Sequence, residues 1–231
     1  MAGFNHTYAY IGNWDFFQSR IQAGIVIPAT IEDFPVVAIG DIDKPALGAS
    51  GPVTAKFSEP KSTSANPNPE RITSVVIPDT VTFVSGFKGL KELKTITLPK
   101  SLTAIGSEAF QSSGLTSIII PEGVKHIYRS AFSSCADLTS VTLPESLEEL
   151  FPSAFSSNKE LTTVNLPSSP FLYVDTYNAR SYFGARLIRP LDDRNYWYVF
   201  EKPDNSAFSN CPKLSIATRQ AIQATGYTGK F

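Results

Sequence analysis

A β-rich solenoid is the fold class that this 231-residue chain predicts, and three observations carry it. The phrase SAFSSCADLTSVTLP at 130–144 returns as SAFSSNKELTTVNLP at 153–167, 23 residues later. An apolar-proline dipeptide recurs with it, at Ile77-Pro78, Leu98-Pro99, Ile120-Pro121, Leu143-Pro144 and Leu166-Pro167, with the prolines 21, 22, 23 and 23 residues apart. Ahead of these prolines the apolar residues alternate, as in Leu115, Ile118, Ile120 and in Leu138, Val141, Leu143. A period this short defines units too small to bury their own apolar face, so each must stack on its neighbours.

Within one unit the elements follow from the residues. The alternating run reads as a strand with its apolar members inward. Proline then stops the ladder because it has no N–H to donate. A second apolar pair follows, Val124 and Ile127 or Leu147 and Leu150, and then Ala-Phe, which turns the chain back. A small residue beside a large one suits a narrow coil. With strands about 4.8 Å apart, six such units make a body about 30 Å long.

The unit from 115 to 135 reads Leu-x-x-Ile-x-Ile-Pro-x-x-Val-x-x-Ile-(x)3-Ala-Phe-x-x-Cys. It resembles the leucine-rich repeats of the BspA-like type, found in bacterial surface and secreted proteins and in some protists. The resemblance is close over 72–166, where four successive units carry the pattern and three have the Ala-Phe pair. It implies a leucine-rich-repeat fold with short irregular connections. It also implies a module for protein–protein interaction. An earlier unit at 24–41 is degenerate: it keeps Ile25, Ile27, Pro28 and Ile39 but sets its second apolar pair five residues further on. The first close unit has Gly86-Phe87 where Ala-Phe belongs.

One domain is expected over 1–231. Residues 1–21 form an N-terminal cap that pairs with the first coil. Residues 22–166 hold the repeats, interrupted at 41–70 by a segment rich in Pro, Ser, Ala and Asn that is expected to be a mobile loop. An aromatic insertion occupies 168–206, and 207–231 hold the last repeat and a C-terminal cap. The cap is predicted helical, with Ser215 as N-cap, Gly226 at the left-handed C′ position, and Leu214, Ala217, Ala221 and Ala224 as the stripe that closes the stack.

The aromatic insertion concentrates binding-type residues. Nine aromatics lie between Phe171 and Phe200, against 18 in the remaining 201 residues, with Arg180, Arg186, Arg189 and Arg194 interleaved. ARLIR and YWYVF, joined by PLDDRN, read as a hairpin. Tyr, Trp and Arg dominate binding hot spots, yet the same rings would also serve to cover the last coil. The candidate partner-binding residues are Tyr173, Tyr177, Tyr182, Arg186, Arg189, Arg194, Tyr196, Trp197 and Tyr198. Tyr128 and Phe151, in the same slot of neighbouring units, are added as an expected exposed aromatic pair. The outward strand columns, Ser74, Thr95, Ser117, Ser140, Thr163 and Val76, Thr97, Ile119, Thr142, Asn165, are uncharged. Such a column first serves strand pairing, and it also offers a flat face to a peptide or a glycan.

Signals for chemistry are missing from the sequence. Of the two histidines, His126 has Glu149 in the matching slot of the next unit, which reads as a surface contact. No nucleophile elbow, phosphate loop, dinucleotide fingerprint or zinc-protease motif occurs, so no enzyme, cofactor or metal is expected. Glu148 and Glu149 are adjacent and diverge, unlike the opposed carboxylates of a glycosidase. Cys135 and Cys211 both follow Ala-Phe by three residues, two units apart. They are expected about 10 Å apart, beyond the roughly 7 Å that a disulfide tolerates, as buried free thiols. A formal charge of −1 gives no electrostatic pull toward nucleic acid or an anionic membrane. No run suits a transmembrane helix. The opening MAGFNHTYAY lacks the features of a signal peptide, which fits a cytoplasmic protein or the mature form of an exported one. The expected role is a non-enzymatic binding module for a protein partner, self or host, acting through the repeat face and the aromatic insertion. A carbohydrate-binding or adhesive domain and a self-assembling structural protein are the alternatives.

Overall fold

The computed structural model describes residues 9–11, 24–31, 34–39, 72–173 and 206–231. Along the chain the elements are β1 (Ala9–Ile11), β2 (Gly24–Val26), β3 (Thr30–Ile31), β4 (Phe34–Ile39), β5 (Ser74–Val76), β6 (Phe83–Val84), β7 (Ala104–Ile105), β8 (Ser117–Ile119), β9 (His126–Ile127), β10 (Ser140–Thr142), β11 (Glu149–Leu150), β12 (Thr163–Asn165), β13 (Leu172–Tyr173) and α1 (Ile216–Ala224). The strands stack in two parallel ladders. The first holds β2–β5 and β8–β10–β12, and a bridge from Val76 to Thr97 carries it through the coil between. The second runs β1–β4–β6–β7–β9–β11–β13.

The alternating runs form the first ladder as the pattern predicts. Ile25, Val75, Ile118, Val141 and Val164 are buried, and their strand neighbours point out. The segment that carries the second residue of the later apolar pair, Ile127 or Leu150, is a strand in its own right, with Val124 and Leu147 ahead of it. Its two residues per coil are too few for a period of two to show. Backbone bonds such as Lys125 N–H to Thr103 O and Glu148 N–H to Lys125 O, both 2.9 Å, hold it to the preceding coil.

Ala-Phe makes the third side. Residues two before and two after the phenylalanine turn the chain through left-handed backbone, at φ 54–60° for Ser130, Ser134, Ser153, Ser157 and Asn210. Their intervening phenylalanines stack: Phe87, Phe110, Phe132, Phe155 and Phe208 follow each other at 5.2, 5.2, 5.2 and 5.6 Å with nearly parallel rings. Phe87 joins this column although its coil is two residues shorter there, because Gly86 turns at φ 89°. The coil ending at Leu115 is also short, by one residue. Its Gly114 passes so close to the Lys91 carbonyl that a Cβ would sit 1.8 Å from that oxygen.

The degenerate first unit keeps the register in both ladders, with Ile25 opposite Val75 and Ile39 opposite Val84. Its extra residues fold back as an antiparallel pair, Thr30 opposite Pro35 and Ile31 opposite Phe34. β1 lies parallel beside β4, so Ala9–Ile11 extends the second ladder. The coil that begins at β12 runs on through β13, in register with β11. The same coil is continued at Ser206, whose hydroxyl accepts from Ser153 N–H at 3.1 Å. The predicted hairpin between these points and the predicted loop at 41–70 lie outside the described residues.

At the C-terminal end the chain starts one more coil and then changes its mind. Ser215 N–H donates to Thr162 O at 3.1 Å, the ladder bond that Thr162 and Thr139 make to the coils before them. Ser215 then accepts from Thr218 N–H and starts a helix instead of a strand. Gly226 stands past the helix end at φ 93°. The buried stripe is Leu214, Thr218 and Ile222, and Ala217, Ala221 and Ala224 face solvent. This corrects the expected alanine stripe: the bonds of Ser215 N–H and the Thr218 hydroxyl to Thr162 O fix the rotation of the helix. Tyr227 closes the phenylalanine column edge-on at 5.7 Å from Phe208. Its hydroxyl accepts from Phe208 N–H at 3.3 Å, the group that in earlier coils donates to the next Ala carbonyl.

Two stability changes follow. Phe132→Ala should cost about 3–5 kcal/mol in denaturant unfolding, the range for a fully buried phenylalanine; stability equal to the parent would place the ring outside the core. Tyr227→Phe keeps the ring and strands the Phe208 N–H, so a loss of about 1–3 kcal/mol is expected by the same measurement.

Candidate interaction surface

Outward positions of the first ladder build a flat, solvent-facing strip. In its first column stand Gly24, Ser74, Thr95, Ser117, Ser140 and Thr163. In its second stand Val26, Val76, Thr97, Ile119, Thr142 and Asn165. None carries a charge. Val26 is 73% exposed, Val76 55% and Ile119 73%. The strip thus grades from β-branched apolar side chains at one end to Thr142 and Asn165 at the other, where Asn165 Nδ2 donates to Thr142 Oγ1 at 3.0 Å. Val26 and its rung were absent from the sequence columns, although the alternation of Ile25 and Ile27 already implied an outward residue between them.

Hydroxyls and carboxylates bordering the strip are committed to the frame. Thr116, Thr139 and Thr162 each donate to the carbonyl one coil back, at 3.3, 2.9 and 3.1 Å. Beyond the prolines, Glu122 accepts from Glu145 and Ser146 N–H, and Glu145 from Ser168 and Ser169 N–H and the Ser168 hydroxyl. These donors, the Ser168 N–H foremost, hold the Glu145 carboxyl below the usual carboxylate range.

The aromatic candidates fall differently. Tyr128 and Phe151 do meet, with ring centroids 4.7 Å apart. Both are buried, at 3% and 5% exposure, which corrects the expected exposed pair. Their slot is a re-entrant corner: at Gly106, in the same slot two coils before Phe151, a Cβ would come 2.6 Å from the Phe83 ring tip and 2.8 Å from Ser85 Cβ. A ring there lies against its neighbour instead of in solvent. Tyr173 is in register with Leu150, a core position. It packs at 5.1 Å from Phe171 and 5.3 Å from Tyr227, and its hydroxyl meets Thr225 Oγ1 at 2.7 Å. Burial pushes that phenol up to about 12. Tyr173 therefore caps the stack. Tyr177, Tyr182, Arg186, Arg189, Arg194, Tyr196, Trp197 and Tyr198 lie outside the described residues.

Chemistry-bearing groups are structural where they are described. His126 Nδ1 meets Glu149 Oε2 at 3.0 Å, the inter-coil contact that the matching slots predicted. Among the described residues no group of His, Cys, Asp and Glu could hold a metal ion. Cys135 and Cys211 are free and buried. Each thiol donates to the phenylalanine carbonyl one coil back, Cys135 to Phe110 O and Cys211 to Phe155 O, both at 3.2 Å. Between them in the column stands Asn158, fully buried, whose Nδ2 donates to Phe132 O and Phe155 O and whose Oδ1 accepts Cys135 N–H. Its role was missed in the sequence, though it occupies the slot that Cys135 marks. Burial raises the Cys135 pKa and pushes that of Cys211 up to about 11. Neither thiolate forms readily at pH 8, so a thiol reagent should label neither cysteine in the native protein and both in denaturant. Rapid native labelling would contradict this placement.

A family model described as a BspA type leucine rich repeat region, in six copies, matches residues 65–179. No curated protein matches the chain. Among solved structures, the leucine rich repeat protein of T. pallidum (TpLRR) is similar over 90% of this chain and 85% of its own, at 22% identity and a TM-score of 0.57. At that identity the likeness concerns the fold alone. A leucine-rich repeat protein from Bacteroides ovatus ATCC 8483 is matched over 75% of this chain and 53% of its own, at 22% identity and a TM-score of 0.36, a superposition too loose to carry an argument.

Proposed function

Because the chain belongs to the BspA-type leucine-rich-repeat family, we propose that it is a non-enzymatic binding module whose first-ladder face docks another protein. The family suggests repeat-based binding. The observation that carries the docking face is the exposure of Val26, Val76 and Ile119 at outward positions of one uncharged strip, Val26 opposite Val76 and Thr97 between Val76 and Ile119. Apolar side chains aligned on one rigid face favour a partner more than the same residues scattered singly. The partly exposed His126 and the buried Cys135, Asn158 and Cys211 support the non-enzymatic reading, since all have structural partners.

Carbohydrate binding by ring stacking needs an exposed aromatic face, and the described candidates Tyr128, Phe151 and Tyr173 are buried or half-buried. Assembly through the C-terminal end would first have to displace α1 and Tyr227. For the aromatic insertion, the support for recognition is its composition, beside the α1 helix and Tyr227 that lie against the last coil.

A photo-crosslinking amino acid at Ile119, with a control at the exposed Gln220 of α1, tests the proposal in extracts of the source organism and of its host. A discrete protein adduct at 119, absent at 220 and absent when Val76→Lys is added, is expected. No adduct, together with glycan-array binding that survives Val76→Lys, would replace protein docking with carbohydrate binding.

A further inference from the structure

We infer that the occupant of the first-ladder strip is one extended, uncharged peptide segment laid along the solenoid axis across the rungs. This rests on the protein-docking reading and names the kind of partner.

Size comes first. The strands are three residues long, so each rung presents two outward residues, about 6.6 Å apart. With rungs about 4.8 Å apart, the strip from Val26 to Asn165 is about 25 Å long and about 10 Å wide. Its area, on the order of 250–300 Å², is well below the roughly 800 Å² per partner of a standard protein interface. A globular partner or a second copy of the chain would have to spread onto the borders. There it would meet Lys94, Glu122 and Glu145, whose polar groups already serve the solenoid. Lys94 pairs with Asp137 at 2.9 Å, and the two glutamates hold the turns of the coils that follow. An extended chain advancing about 3.3 Å per residue covers the strip with about eight residues and needs nothing from the borders.

Charge gives the chemistry. All twelve outward positions from Gly24 to Asn165 are uncharged, in a chain whose residues are 18% charged. A charged side chain in the segment would lose hydration over this strip and find no counter-ion there. The gradient along the strip sets the direction. Apolar residues of the segment belong over Val26, Val76 and Ile119. Residues that hydrogen-bond belong over Thr142 and Asn165, where the amide of Asn165 retains an acceptor oxygen. Docking is on the face of the sheet, so side chains and not ladder edges make the contacts.

The test is selection of a phage library of random linear nine-residue peptides against the full chain. Enriched peptides should be depleted in Asp, Glu, Lys and Arg. A fluorescein-labelled enriched peptide, followed by polarisation, should lose at least tenfold in affinity on Ile119→Lys and on Val76→Lys, with circular dichroism and melting temperature unchanged. Gln220→Glu should change it less than twofold. Asn165→Leu should alter selected residues at one end of the peptides only. Enriched peptides with recurrent charges, peptides indifferent to both lysine variants, or no enrichment at all would overturn the inference. A protein adduct at position 119 that enriched peptides do not displace, and that linear peptides of that protein do not reproduce, would keep the docking face and exclude the extended occupant.

Discussion

Each coil of this protein presents unpaired backbone N–H and C=O groups on both rims, and only another coil about 4.8 Å away can satisfy them. The rest of the structure depends on that constraint. It forces the three sides of the coil to keep one spacing, so the phenylalanines stack face to face at 5.2 Å and side chains repeat in columns. It also explains why irregular coils are tolerated. The short coils at Gly86 and Gly114 lose residues in a turn, where glycine accepts a left-handed φ or a close carbonyl, and the ladders on either side stay in register.

Columns also show how different side chains solve the same problem. At the third position after the phenylalanine stand Leu90, Ser113, Cys135, Asn158 and Cys211, all buried. Cys135, Asn158 and Cys211 each donate to the phenylalanine carbonyl one coil back, and Asn158 adds an acceptor for Cys135 N–H. A buried amide with its donors and acceptor paired is far less costly than one left unsatisfied. The end of the stack obeys the same rule. Ser215 and Thr218 take the last Thr162 carbonyl and Tyr227 takes the last Phe208 N–H, so the helix ends the ladder without orphaned groups on those bonds.

Function is left to what the frame does not use. Threonine hydroxyls next to the strands, the post-proline glutamates and the inter-coil pairs are spent on holding coils together. Apart from the Asn165–Thr142 bond, the outward positions of the first ladder are not, and there the chain places exposed valine and isoleucine in an uncharged strip. That division between committed and uncommitted side chains, more than the fold itself, is what supports the proposed binding face.

The repeat, the inward residues of the first ladder, the phenylalanine turn, the helical cap with Ser215 and Gly226, and the buried unpaired thiols were all determined by the sequence alone, because local pattern and a fixed period suffice for them. The second ladder was not legible, since two residues per coil leave no alternation to read. Nor was the face of α1 that packs, because Ala217, Ala221 and Ala224 form as good an apolar stripe as Leu214, Thr218 and Ile222 until the bonds to Thr162 O choose between them. Tertiary structure alone decided that Tyr128 and Phe151 sit in a closed corner and that Tyr173 caps the core. Exposure of a ring depends on what the neighbouring coils put beside it, and spacing along one chain does not carry that information.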